Sequence, residues 1–205
     1  MIGNDGLHMR TQQLKPLGSV LPDFLWSFQN GIRYKNLRFN FLIDSRVGGK
    51  FFSQTYSVAM YSGILPETAA NGIRETGVVS EGVTGDVTFN PDGTYSVTNI
   101  AENTKNVTAQ AWARNHNNGP TAFGIFDASF IKLRELSLGY DFKLPENSPV
   151  KGLGASVYAR NLFYLYRKSK TIDPELTNSS GNVQGIEGGN MPTPLTYGIN
   201  LSIKF

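Results

Sequence analysis

The chain has 205 residues with 40% hydrophobic and only 17% charged side chains, below the roughly 25% of ordinary soluble domains. Aromatics reach 12% beside 22 glycines, which favours an all-β chain with large turns, and the absence of cysteine excludes disulfides, thiolate zinc sites and cysteine nucleophiles. A net charge of +3 spread along the chain excludes the basic stripe of a nucleic-acid surface, and no apolar run approaches the ~18 residues of a membrane helix, which leaves membrane strands open.

The first element is expected over residues 24–34. One face carries Phe24, Trp26, Phe28, Ile32 and Tyr34 with Asn30 as the exception; the other carries Ser27, Gln29, Gly31 and Arg33 with Leu25 as the exception. This period of two marks a strand with one apolar and one polar face. A tight turn at Lys35-Asn36 leads into a second strand over 37–47, where Leu37, Phe39, Phe41 and Ile43 alternate with Arg38, Asn40, Asp44 and Arg46.

A long connection over about 48–127 follows. Within it short helices are expected over Phe51–Tyr61 and Val107–Arg114, and a small hairpin over Thr84–Thr98 turning at Asn90-Pro91-Asp92-Gly93. The third strand, over 129–142, has Leu136, Leu138, Tyr140 and Phe142 on one face, but the same phase would put Lys132 and Arg134 there too. A cation at mid-bilayer on a lipid face costs roughly 2–4 kcal/mol, falling to about 0–1 near the interface. Either a β-bulge near Leu133–Glu135 switches the phase, which is the favoured reading, or the two cations lie at headgroup level.

A fourth strand over 153–163 alternates Leu153, Ala155, Val157 and Ala159 with Gly154, Ser156, Tyr158 and Arg160. A second long connection spans about 164–194. The last strand, 195–205, is apolar at every odd position from Leu195 to Phe205 and small or polar at every even one. Its eleven residues exceed the usual 5–6 of a soluble strand and match the ~9–11 of a membrane strand. Connections alternate short, long, short, long, the asymmetry of outer-membrane barrels with short periplasmic turns and long extracellular loops. With Phe205 on the short-turn side, both long loops fall outside.

Several segments resemble the C-terminal part of the SusC/RagA family of TonB-dependent transporters. They are Leu21-Pro22-Asp23-Phe24, Phe41-Leu42-Ile43-Asp44-Ser45-Arg46-Val47-Gly48-Gly49, and Asp127 through Tyr140, the most specific. Ala159-Arg160-Asn161-Leu162-Phe163, Ile172-Asp173-Pro174-Glu175 and Thr196 through Phe205 complete the set. The resemblance covers nearly the whole chain. It implies an all-β, antiparallel transmembrane barrel segment, residues 1–205, holding about the last five strands of a barrel of about 22. It also implies the bacterial outer membrane, import of glycans or peptides, and a SusD-like surface lipoprotein as lid. TonB and a plug domain would act through an N-terminal part beyond this chain, and the terminal aromatic pattern resembles the signal read by the barrel-assembly machinery. Contact with membrane lipid is implied, and no nucleic acid, no cofactor, no metal and no enzymatic activity. Five strands cannot close a barrel, and an open edge in lipid leaves unpaired backbone groups, so the chain is expected to be a fragment of a longer transporter.

Within that frame Trp26, Tyr34, Tyr140 and Phe205 read as interfacial girdle residues, and Arg33, Arg38, Arg46 and Arg160 as plug-facing. Trp112, Arg114, His116 and Tyr61 in the large loop are the candidates for substrate or lid contact, with Tyr56 beside them. The bland reading of these residues is packing of the loop on itself. His8 and His116 carry no metal-ligand spacing. Asp173-Pro174-Glu175 could pair two carboxylates as a glycosidase does, but a loop turn is the better reading. Gly181–Asn190 lacks a phosphate-loop motif, and the sequons Asn106-Val107-Thr108 and Asn178-Ser179-Ser180 mean little outside a eukaryotic secretory setting. The rival reading is a soluble or surface β-sandwich module for carbohydrate binding or adhesion.

Overall fold

The computed structural model describes every residue except Gln12, Asn178 and Ser179, so the second sequon begins outside the described residues. In chain order the principal elements are β1 (Phe24–Tyr34), β2 (Leu37–Val47), β3 (Lys50–Ser53), α1 (Gln54–Tyr61), α2 (Ile73–Thr76), β4 (Val78–Val79), β5 (Val83–Phe89) and β6 (Tyr95–Glu102). They continue with β7 (Asn106–Val107), α3 (Ala109–Asn118), β8 (Ile125–Asp127), β9 (Phe130–Phe142), β10 (Gly152–Arg167), β11 (Ile186–Glu187) and β12 (Thr196–Lys204). The chain divides into two compact units. A sheet unit holds Ser19–Phe51, Asp127–Ser179 and Asn190–Phe205; a loop unit holds Met1–Gly18, Phe52–Phe126 and Ser180–Gly189.

The sheet unit is one five-stranded sheet in the order β1-β2-β9-β10-β12, every neighbour antiparallel. Residues paired across strands share a face, so register assigns the faces. Leu37, Tyr140 and Ala155 lie on one, as do Phe39, Leu138, Val157 and Ile199. Arg38, Gly139, Ser156 and Asn200 lie on the other, with Arg33 beside Arg38. The apolar face is uncovered: Phe28, Ile32, Leu138, Val157 and Phe163 are exposed, and Ile199 keeps 80% of its surface. A β-sandwich would bury such a face against its second sheet. On the polar face Gly198 gives passage to Tyr158, whose hydroxyl would lie 2.7 Å from a Cβ placed there.

Antiparallel pairing puts the 35–36 turn and the 143–151 connection at one end of the sheet, and the two long connections at the other. The register breaks where Lys132 and Arg134 fall out of phase. Leu42 opposes Glu135 and Ile43 opposes Leu133, which leaves Arg134 as the extra residue of a bulge. Strand β10 carries a matching irregularity between Arg160 and Phe163. There Asn161 takes φ 55°, a left-handed conformation that asparagine tolerates better than most residues. Beyond the bulges Ile131 and Leu133 return to the apolar face and Lys132 to the polar one. Strand β10 therefore continues past residue 163 to Arg167, pairing Phe163 with Leu133 and Tyr164 with Lys132.

In the loop unit the first helix starts at Gln54 rather than at Phe51. Ser53 is its N-cap, its hydroxyl accepting from the Tyr56 N–H at 3.0 Å. Thr108 caps α3 in the same way through the Ala111 N–H, so that helix begins at Ala109 and runs on to Asn118. Strands β5 and β6 form the hairpin. Strand β11 pairs in parallel with β3 through Ile186–Phe52 and Glu187–Ser53, so both long connections contribute to this unit.

Placing a cation on the uncovered face at mid-height tests the assignment of faces. Leu136→Arg is expected to destabilise the protein folded in lipid vesicles by roughly 2–4 kcal/mol in denaturant titration, whereas Ser137→Arg on the polar face is expected to have little effect.

Candidate functional site

Two regions concentrate chemistry, one in each unit. The first lies on the polar face at the long-connection end of the sheet. The bulge frees Arg134 to reach several partners: its Nε donates to Asp44 Oδ2 at 2.9 Å and its Nη2 to the same oxygen at 2.5 Å. The Nη2 also donates to Glu175 Oε1 at 2.5 Å, and Nη1 to Asn161 Oδ1 at 2.9 Å. Lys132, only 2% exposed, donates to Glu175 Oε2 at 2.5 Å and lies over the Tyr164 ring at 4.6 Å. The Tyr164 hydroxyl is within hydrogen-bonding distance of Asp173 Oδ1, at 2.5 Å, and Glu175 Oε2, at 3.1 Å.

The turn Asp173-Pro174-Glu175 is thereby clamped to the sheet by both cations. Its two carboxylates hold side chains of the wall, which is a structural use and leaves the glycosidase reading without support. Burial pushes the Glu175 carboxyl up, but hydrogen bonds and charges from Arg134 and Lys132 outweigh burial and hold it below the usual carboxylate range.

Further along the same face Arg38 pairs with Asp141 at 2.7 Å and Arg33 with the same carboxylate at 3.6 Å. Arg160 pairs with Glu135 at 3.0 Å, and Arg46 donates from Nη2 to the Val20 carbonyl at 2.6 Å. All four expected plug-facing arginines therefore share the polar face, each already engaged within its own unit.

Trp26, Tyr34 and Tyr140 lie on the apolar face; Phe205 follows β12, and all four are exposed. Tyr34, Tyr140 and Phe205 are at the short-turn end and Trp26 near the other. Eight residues separate Trp26 from Tyr34, about 27 Å along a strand and about 20 Å after a ~40° tilt, close to the ~25 Å apolar band of such barrels.

The second region is in the loop unit. Trp112 and His116, one helical turn apart on α3, meet edge to face at 4.7 Å, and the Trp112 carbonyl accepts from His116 Nδ1 at 3.1 Å. His116 stacks on Phe123 at 4.6 Å, while His8 meets the same ring edge-on at 4.9 Å. The sequence offers no hint that two histidines 108 positions apart share one phenylalanine. Burial disfavours the charged ring and lowers the pKa of both, so each imidazole is held neutral at neutral pH. Tyr56 packs edge-on against Phe126 at 4.9 Å. These side chains cohere as packing of the loop on itself. Tyr61 and Arg114 face outward instead, with the guanidinium over the ring at 5.3 Å.

Sequence reasoning missed the clamp. Its signal was present in the phase error at Lys132 and Arg134 and in Asp44 at the facing position, but recognising it needed the register that pairs Asp44 with Lys132. It also missed Arg74 and Gln110, which line a groove with Tyr61 and Arg114.

Two consequences are measurable. Arg134→Met leaves Asp44 without its cation and Glu175 with Lys132 alone, and is expected to cost about 1–3 kcal/mol in denaturant unfolding, with the double variant Lys132→Met/Glu175→Leu costing less. The lowered histidine pKa values add stability that is full above about pH 6.5 and is lost as pH falls toward the folded-state values. Histidine-resolved NMR titration of His8 and His116 is expected to show midpoints below those of the unfolded chain.

No family model matches the chain. Two curated proteins of Formosa agariphila do: TonB-dependent receptor P3, 25% identical over 95% of this chain, and TonB-dependent receptor P26, 29% identical over 98%. The chain spans about a fifth of their length, 18% and 19%. Among solved structures, the RagAB peptide importer matches in its open-open state with TM-score 0.56 and in its closed-closed state with 0.57. Both share 16% identity across 92% of this chain and 18% of the matched chain, a likeness of fold.

Proposed function

From the premise that the chain is a segment of a SusC/RagA-type TonB-dependent receptor, we propose that it forms the C-terminal wall of an outer-membrane importer of glycans or peptides. The observation that carries this is a five-stranded antiparallel sheet whose apolar face is uncovered and whose polar face is knit by ion pairs. Lipid suits the first face, and an interior occupied by a plug suits the second. The unpaired edges of β1 and β12 would be closed by further strands of a longer polypeptide, since open edges are costly in lipid.

In this reading the two long connections lie outside the cell and help form the mouth, where a SusD-like lipoprotein would sit as lid. Arg33, Arg38, Arg46 and Arg160 would face the plug, and TonB would drive plug movement from the periplasmic side. The four girdle aromatics would fix the depth of the wall in the membrane. The chain would contribute wall and loops rather than catalysis.

Cell fractionation tests the location. The native protein is expected with outer membranes, retained through an alkaline carbonate wash, with its large loop cleaved by protease added to intact cells. Recovery in the soluble fraction as a monomer would refute the proposal and favour the adhesion or carbohydrate-binding module.

A further inference from the structure

Within the loop unit, residues 180–189 of the second long connection are held to the first by a short ladder and one buried charge. Of these residues only Gly185 and Glu187 are buried, while Val183 and Ile186 stay exposed. Glu187 is 1% exposed and makes no ion pair among the described residues. A buried carboxylate without a cation is costly unless hydrogen bonds replace its water. Here Oε2 accepts from the Ser53 hydroxyl at 2.5 Å, and Oε1 from the Thr55 hydroxyl at 2.6 Å and the Gly189 N–H at 2.8 Å. Burial alone would raise the carboxyl, but these donors outweigh it and hold the group below the usual carboxylate range.

Both hydroxyls are already engaged as acceptors. Ser53 takes the Tyr56 N–H as cap of α1, and Thr55 shares the Gly189 N–H at 2.9 Å. Each turns its own hydrogen to Glu187, whose two carboxylate oxygens accept both; an amide would offer one oxygen. The rest of the attachment is the two-residue ladder of β11 on β3, with the Phe52 N–H donating to the Gly185 carbonyl at 2.9 Å. Near either end of the segment stands a left-handed glycine, Gly181 at φ 76° and Gly189 at φ 81°, with open space where a Cβ would stand. The backbone can swing at these points without obstruction. Helix α1, by contrast, keeps its own cap and buries Ala59 and Met60, and α3 buries Ala109 and Ala113.

A segment with few buried apolar contacts opens at a lower free energy than the core beside it. We propose that residues 180–189 form a releasable strap, fastened by Glu187 on Ser53 and Thr55, which unfastens as a unit while α1 and α3 remain folded. Fastened, the strap makes these parts of the two long connections move together; released, it frees the second from the first. The device goes beyond the importer reading and does not depend on it.

Amide hydrogen exchange of the detergent-purified native protein, resolved to single residues, tests the strap. The Phe52 and Gly189 amides, which the strap closes, are expected to exchange about tenfold or more faster than the buried Ala113 amide of α3, at rates that low urea leaves unchanged. Glu187→Gln and Thr55→Val are each expected to speed both strap amides about tenfold and to leave Ala113 unchanged. Thr55→Val spares both the carboxylate and the cap of α1, so it reads the fastening even where Glu187→Gln fails to fold. Strap amides that exchange at the rate and urea dependence of Ala113, or that neither variant speeds, would overturn the strap. Variants that speed Ala113 equally would overturn it too, because the segment would then be part of the core.

Discussion

The clamp of Arg134 and Lys132 on Asp44 and Glu175 is the constraint on which the rest of the sheet depends. A strand in a membrane wall must keep one phase, because a slip of one residue turns its polar set to lipid. Strand β9 carries two cations that would violate this, and the bulge at Arg134 removes the conflict by restoring phase on its far side. The freed guanidinium then becomes the hub through which the sheet holds the Asp173–Glu175 turn. One irregularity thus protects the apolar face and fixes the start of a long connection.

The same logic runs across strands. Strand β10 answers the bulge with its own at Asn161, whose side chain accepts from Arg134 and donates to the Pro194 carbonyl at 3.2 Å. Asn161 therefore ties the hub to the segment entering β12. Partly buried ion pairs of this kind are weak as net stabilisers, since desolvation offsets most of the attraction. Their effect is positional: losing one partner leaves a charge stranded, so the arrangement holds in one geometry or fails.

Much of this was legible in the sequence. Period-two patterning placed the five long strands within a few residues, because a wall with one lipid and one polar face writes its register into every second position. It also predicted a break near Leu133–Glu135. It stopped short at residue 163, because the bulge at Asn161 resets the alternation and makes Phe163–Arg167 look irregular. The loop unit was less legible. Capping residues Ser53 and Thr108 were missed as helix starts, and only tertiary folding brings His8 and His116 to one phenylalanine and Arg74 and Arg114 to the lining of one groove. Periodicity reports contacts along an element and is silent on side chains brought together from separate ones.

Spin labels placed singly from residue 131 to residue 140 on β9, in protein reconstituted into lipid, test the central claim most directly. Accessibility to dissolved oxygen should peak at 131, 133, 136, 138 and 140, with the phase inverting across Arg134, and accessibility to a water-soluble nickel complex should be higher at 135 and 137 than at 136 and 138. Unbroken alternation through Arg134, or nickel accessibility equal on both faces, would contradict a lipid-facing wall rephased by that bulge.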